Sequence, residues 1–231
     1  MGPFLGRARL GWSADAADGP ADTSTNQEVA LKKLAVISLA VLLAAALMPQ
    51  RAEAEVGFKG GLALSKLSIT DETGYMSRKA PAFGAYLSLG LGPVAVQPEV
   101  LYAPFGARME EGADWMEYRM DYLQVPVLLK LTVMPGPISP VVYAGPYGAY
   151  LLSAKGVAEI GGERTEEDFK DELKSTDYGL VFGGGVDFKM AVVKISVEIR
   201  YNLGLANLDK EPEPGFSVKN RSVMILAGIG F

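Results

Sequence analysis

Seven titratable residues sit at alternate positions in segments otherwise made of apolar and small side chains: Lys59, Glu99, Lys130, Asp187, Lys194, Glu198 and Arg200. Opposite charges on one face of such segments can do two kinds of chemistry. They can neutralise one another as a structural ion-pair network, or they can pass ions or protons along a gated path. The 231-residue chain has no His and no Cys. That removes Ser-His-Asp hydrolysis, thiolate nucleophiles, Cys-based zinc sites and iron–sulfur ligation. No catalytic residue, cofactor site or metal site is expected. Gly183-Gly184-Gly185 superficially resembles a phosphate cradle, but no helix and no Lys-Ser/Thr follow it, so it reads as close packing inside a strand. The net charge of −5 carries no basic patch of the kind that nucleic-acid binding needs.

The elements that would position these charges have a period of two. From Ala191 to Leu203 one face reads Ala191, Val193, Ile195, Val197, Ile199, Tyr201 and Leu203; the other reads Val192, Lys194, Ser196, Glu198, Arg200 and Asn202. A helix would scatter those charges around its circumference, whereas a strand gathers them on one side. Similar alternation recurs over 56–65, 81–90, 94–103, 121–131, 141–152, 178–188 and 220–231, which makes eight predicted strands. Short connections near 90–93, 133–137 and 189–190 alternate with long ones over 66–80, 104–116, 153–176 and 204–218. An antiparallel meander collects the short turns at one end and the long loops at the other, as outer-membrane barrels do. The predicted fold class is therefore all-β: a closed eight-stranded antiparallel up-and-down transmembrane β-barrel over 55–231, preceded by a signal-peptide helix.

A soluble periplasmic ligand-binding barrel would turn the Val/Ile/Leu rows inward, so the two readings differ in which face looks out. The other rows are rich in Gly, Ala and Ser, which suits a crowded narrow interior rather than a solvated exterior. The aromatic residues Phe58, Phe83, Tyr102, Tyr143, Tyr178, Phe188, Tyr201 and Phe231 fall in the apolar rows, where interfacial girdles belong. Eight strands leave an interior barely wide enough for side chains, so no open pore is expected. Pro98, Pro126 and Pro146 lie inside predicted strands and should cause bulges or lost ladder bonds.

Residues 32–54 read as a secretory signal peptide: Lys32 and Lys33, an apolar run from Leu34 to Leu47, then Ala52-Glu53-Ala54 with small residues at the cleavage positions. Residues 1–31 ahead of it read as a mis-called or disordered extension, with translation expected to begin near Val29 or Leu31.

Three stretches carry a family resemblance. Tyr122-Leu123-Gln124-Val125-Pro126-Val127-Leu128-Leu129-Lys130 resembles a strand of the PorT-like outer-membrane β-barrel domain family. Tyr143-Ala144-Gly145-Pro146-Tyr147-Gly148-Ala149-Tyr150-Leu151-Leu152 resembles the next strand, and Glu198-Ile199-Arg200-Tyr201-Asn202-Leu203-Gly204-Leu205 resembles the penultimate one. The resemblance implies an eight-stranded barrel in the bacterial outer membrane and gives precedent for two of the prolines. Functions in that family are diverse. The expectation is a structural or loop-mediated surface-interaction protein in contact with outer-membrane lipid and lipopolysaccharide, or else an accessory of a secretion or envelope-assembly machine. The stretch 153–176, with Glu159, Glu163, Glu166, Glu167, Asp168, Asp171 and Glu172 against Arg164, Lys170 and Lys174, is expected to be a solvated loop with a short helix over 165–174. It could dock a basic envelope partner or touch lipopolysaccharide through divalent cations.

Overall fold

A computed structural model describes residues 53–69, 76–112, 114–210 and 217–231. The extension 1–31 and the signal segment up to Ala52 lie outside the described residues, whereas Ala54 is inside the first strand, paired with Leu89. Nine strands form: β1 (Glu53–Ile69), β2 (Met76–Leu91), β3 (Val94–Glu111), β4 (Asp114–Thr132), β5 (Ile138–Ile160), β6 (Glu163–Asp168), β7 (Thr176–Lys189), β8 (Lys194–Gly204) and β9 (Val218–Gly230).

Eight of them make a ring. Each of β1, β2, β3, β4, β5, β7, β8 and β9 pairs antiparallel with two neighbours, and β9 returns to β1. Following directly paired residues round the ring shows its stagger. Asp187 pairs with Ser196, Ser196 with Gly228, Gly228 with Lys59 and Lys59 with Gly84. Gly84 pairs with Leu101, Leu101 with Gln124, Gln124 with Ala149 and Ala149 with Asp177. The circuit leaves β7 at Asp187 and comes back to β7 at Asp177, ten residues along. An eight-strand ring with this shear has strands tilted by roughly 40° and an interior that side chains alone can fill.

The alternation places the faces as the residue types require. Lys59, Glu99, Lys130, Asp187, Glu198 and Arg200 are buried inside, while Val56, Phe58, Leu62, Val197, Ile199 and Ile225 are exposed on the outer wall. Ile199 is 55% exposed and its neighbour Arg200 1%. A soluble barrel needs the opposite arrangement, with apolar rows at the centre and charges in water.

The sequence reading mis-phased one strand. On β5, Val141, Tyr143, Tyr147 and Leu151 face inward, and Val142 and Ala144 face out. Apolar content pointed the wrong way there because both faces of β5 are uncharged over 141–152. What decides the phase is steric: inward Tyr143 and Tyr147 lie directly across from Gly183 and Gly179, and a Cβ on either glycine would collide with the ring. Gly57 makes room for Tyr86 in the same way.

The prolines cost rungs but not register. The β3–β4 ladder has no paired rung between Pro98↔Val127 and Leu101↔Gln124, opposite Pro126, and the β4–β5 ladder none between Pro126↔Tyr147 and Leu129↔Ala144, opposite Pro146. Neither register shift falls at Pro98, Pro126 or Pro146: one lies between Ser77 and Phe83, a stretch that contains Pro81 and faces Pro104, and the other between Asp121 and Tyr122.

Two predicted loops are strand instead. Residues 104–111 and 114–116 continue β3 and β4 to a tight turn at Gly112 (φ +65°), and 153–160 continues β5 into a hairpin with β6 through Gly161 and Gly162 (φ +60° and +84°). The helix expected over 165–174 is not formed: 163–168 is β6, followed by one 3-10 turn at Lys170–Glu172. Inward Phe105, Ala107, Tyr118 and Met120 explain the extension, since these residues keep the period of two and bury their inner face well past the ring. At the other end β8 begins at Lys194 rather than Ala191, because 190–193 is needed for the turn.

Candidate functional site

The interior at the end of the short turns is a network of ions. Lys59 comes from β1, Glu99 from β3, and Glu198 and Arg200 from β8, each placed inward by the strand period. Lys59 Nζ lies 2.7 Å from Glu99 Oε1 and 2.9 Å from Glu198 Oε1. The Arg200 guanidinium reaches Glu99 with Nη1–Oε2 at 2.7 Å and Nη2–Oε1 at 3.2 Å, and also bonds Glu198. Gln97 Nε2 donates to Glu99 at 2.7 Å. The Tyr143 ring faces the guanidinium, 5.4 Å from its carbon.

A second group sits nearer the turns. Lys130 Nζ is 2.9 Å from Asp187 Oδ2, Lys194 Nζ is 3.7 Å from the same oxygen and 2.6 Å from Glu55, and the Tyr86 hydroxyl donates to Glu55 at 2.8 Å. Lys59 Nζ lies 4.8 Å from the centre of the Tyr86 ring, which joins the two groups.

All seven residues singled out from the sequence thus come together in one interior. Glu55 was missed, and it completes the balance: Lys59, Lys130, Lys194 and Arg200 face Glu55, Glu99, Asp187 and Glu198. Extending the β1 alternation back by one residue from Val56 would have placed Glu55 on the Lys59 face. Tyr86 lay on the inward row in the sequence, and only its hydroxyl partner was hidden. Geometry of this kind offsets the desolvation cost through charge-assisted and bidentate contacts. It locks the interior; no carboxylate or cation in it is left without an opposite charge.

Further along, the interior holds Asp177 among uncharged polar side chains and then becomes apolar. Asp177 accepts from Asn220 Nδ2 at 3.0 Å and from the Tyr147 hydroxyl at 3.3 Å, in a layer with Gln124 and Asn202. Beyond it Phe105 meets Tyr122 edge-on with ring centres 5.6 Å apart, packed in the same zone as Met120 and Leu151. Phe169 closes on Tyr118 at 5.9 Å, and buried Leu208 bonds back to Val218 and Lys174 through its backbone.

On the outer wall, Phe58, Phe83, Tyr178, Phe188, Tyr201 and Phe231 are exposed, and Tyr102 stacks on Phe83 with ring centres 5.1 Å apart. Tyr143 does not belong with them; its phase on β5 turns it into the interior against Arg200. Phe182, exposed and paired with Tyr201, stands on the wall without having been singled out.

The extension of β3–β6 is laced with ion pairs, buried at Arg78 and Glu117 and more exposed elsewhere. Arg108 pairs with Glu110 at 2.6 Å and lies over the Trp115 ring, Arg119 pairs with Glu117 at 2.8 Å, and inward Arg78 reaches Asp121 at 3.0 Å. On the β5–β6 hairpin Lys155 Nζ is 2.6 Å from Glu166, and Glu159 stands opposite Arg164. The hydrogen bond from Lys155 holds the Glu166 carboxyl below the ordinary carboxylate range and raises the Lys155 ammonium. Partial burial, then Glu167 and Asp209 nearby, push Glu172 up. These acids are therefore partly paired and spread over strand, turn and loop rather than gathered into a cation cage; among the described residues no group of acidic side chains is placed to hold a metal ion.

Residues 46–210 match the family described as "Outer membrane protein beta-barrel domain". No curated protein matches the chain in sequence. Among solved structures, Neisserial surface protein A aligns over 78% of this chain and 98% of its own, at 15% identity and a TM-score of 0.45. Ail, the attachment invasion locus protein of Yersinia pestis, aligns over 78% and 99% at 16% identity and a TM-score of 0.41. The N-terminal β-barrel domain of Pseudomonas aeruginosa OprF aligns over 78% and 98% at 10% identity and a TM-score of 0.39.

Proposed function

The chain belongs to the outer membrane protein beta-barrel domain family, and from that premise we propose that it is an integral outer-membrane barrel that works through its surface rather than through a pore or an active site. The supporting observation is the inversion of its faces: paired ions fill the interior while Val197, Ile199, Ile225 and their neighbours stand bare on the wall. Exposed apolar area on this scale is unfavourable in water and favourable against acyl chains. Inside hydrocarbon every backbone N–H and C=O needs a partner, and a ring of strands with no free edge provides that.

β8, with 11 residues, has the length of one crossing, whereas β4 has 19 and β5 has 23. At ~3.3 Å per residue and the tilt of the ring, the surplus carries the β4–β5 ribbon roughly 20–30 Å beyond the membrane. That ribbon, with its acidic hairpin Glu163–Asp168, is the part presented to envelope partners. The narrower resemblance to PorT-like strands rests on 122–130 and 143–152, which form the adjacent strands β4 and β5.

Two measurements test the reading. Cell fractions washed at high salt and high pH should keep the protein in the membrane pellet, and detergent-folded samples should migrate differently before and after boiling. Trypsin added to intact cells should cut at exposed Arg164 and leave the ring whole. Release by the washes would overturn the membrane assignment, and cleavage only after the outer membrane is opened would overturn the outward placement of the hairpin.

A further inference from the structure

Outward positions of β1, β2, β7, β8 and β9 hold four charged side chains among the described residues, and all four are cationic: Lys66, Lys79, Lys219 and Arg221. They are neighbours. Lys66 stands directly opposite Arg221, Lys219 is opposite Ser68 two residues on from Lys66, and Lys79 is opposite Leu64 two residues back. None of the four has an ion pair with a described carboxylate, in contrast to Arg108, Arg119 and Lys155 on the other side of the ring. Like charges directly opposite on adjacent strands destabilise the pair, so Lys66 and Arg221 want an anion between them.

The position of the quartet says which anion. The next rung toward the turns is Leu64, Val223 and Tyr201, and the one after it is Leu62, Ile225 and Ile199, all outward. The cations therefore sit on the rim of the apolar wall, at the end where the long connections lie. A ligand that satisfies both surfaces has phosphate at one end and acyl chains at the other. We propose that Lys66, Lys79, Lys219 and Arg221 form a binding site for the phosphates of a phosphorylated glycolipid in the outer leaflet, with its acyl chains lying on Leu62, Leu64, Val223 and Ile225. The inference rests on the membrane reading above and adds the lipid class and the place where it binds. Lys and Arg at a membrane surface each contribute to anionic-lipid attraction, and phosphate accepts several charge-assisted bonds at once.

The experiment uses the full barrel purified in mild detergent, stripped of lipid and titrated with bis-phosphorylated lipid A under native mass spectrometry. Lys66→Gln with Arg221→Gln should weaken lipid A binding by roughly tenfold or more, and removing the phosphates from the lipid should weaken binding to the unaltered barrel by a similar factor. Lys155→Gln with Arg164→Gln should leave binding unchanged. Inorganic phosphate at millimolar concentration should fail to displace the lipid, because it cannot use the apolar wall. Equal binding by the Lys66/Arg221 variant and the unaltered protein, with heat-shifted gel mobility intact in both, would overturn the site alone. Competition by inorganic phosphate would also overturn it, in favour of a simple anion site. An unaltered protein that shows no heat-shifted mobility would overturn the membrane reading itself, and the site with it.

Discussion

At the turn end the inward positions hold Lys59, Glu99, Glu198 and Arg200, each bonded to an opposite charge; at the loop end the same inward positions on β3, β4 and β5 hold Phe105, Tyr118, Met120 and Leu151. Both fillings keep the ring from being hollow, but they fail differently. An ion pair that loses one member leaves a buried charge without compensation, which costs more than a lost contact. An apolar filling that loses a group leaves a gap that neighbouring segments can settle into. The turn end therefore fixes register strictly, while the loop end can tolerate change.

Arg200→Ala should show the largest effect. It leaves Glu99 and Glu198 sharing Lys59 alone, and about 3–5 kcal/mol should be lost, read as a shifted midpoint when urea unfolding in lipid vesicles is followed by gel mobility. Exchanging Lys59, Glu99, Glu198 and Arg200 together for Met and Leu should recover most of that loss; if the fourfold variant is as weak as Arg200→Ala, the network contributes more than mutual neutralisation. Next in size is the outer wall: Ile199→Lys, one residue from Arg200 but facing out, should cost about 2–4 kcal/mol in the same assay. A neutral result would mean that Ile199 does not meet hydrocarbon. Leu208→Ala at the loop end should cost about 2 kcal/mol, the low end for a buried leucine, and should raise hydrogen exchange locally at the amides of residue 208 and Lys174, which donate to Val218 O and to the carbonyl of residue 208. Exchange rising equally across β8 would show that the two ends are one cooperative unit.

The smallest effect belongs to the hairpin. Glu166→Gln removes the Lys155 pair, and because both groups are fully exposed, no measurable change in stability is expected. The sign with pH follows from the lowered Glu166 carboxyl. Its contact with Lys155 is fully present above the ordinary carboxylate range and is lost only as pH falls through the lower, folded-state value. Chemical shifts of Glu166 followed across an acid titration check this; a midpoint at or above the usual carboxylate value would contradict the pairing.

The legible and illegible parts of the sequence follow the same division. Where charge marked one face, as on β8 with Lys194, Glu198 and Arg200, the phase could be read directly, because burying a lone ion on the lipid side is prohibitive. On β5 neither face carries charge over 141–152, so the phase depended on whether Tyr143 finds a glycine across from it, and that is a property of the partner strand. The β3–β6 ribbon was missed for a related reason. Glu110, Glu111 and Asp114 look like loop, yet the strands persist because Phe105, Ala107, Tyr118 and Met120 bury their inner face regardless of the polar outer one. The cationic quartet was invisible as a site because its four members come from three strands and meet only through β1.

Val56 and Phe231 exchange both of their backbone hydrogen bonds, at 3.2 and 2.9 Å, where the two most distant strands of the ring meet. That seam is the one junction in the ring that no hairpin can prepare, and joining it asks the chain to forfeit the freedom of nearly its whole length at once. Until it joins, the sheet is a curled ribbon with two sticky borders, ready to zip onto any passing strand. A chain of this topology must therefore be shielded or fast until that seam closes, since closure alone removes both borders.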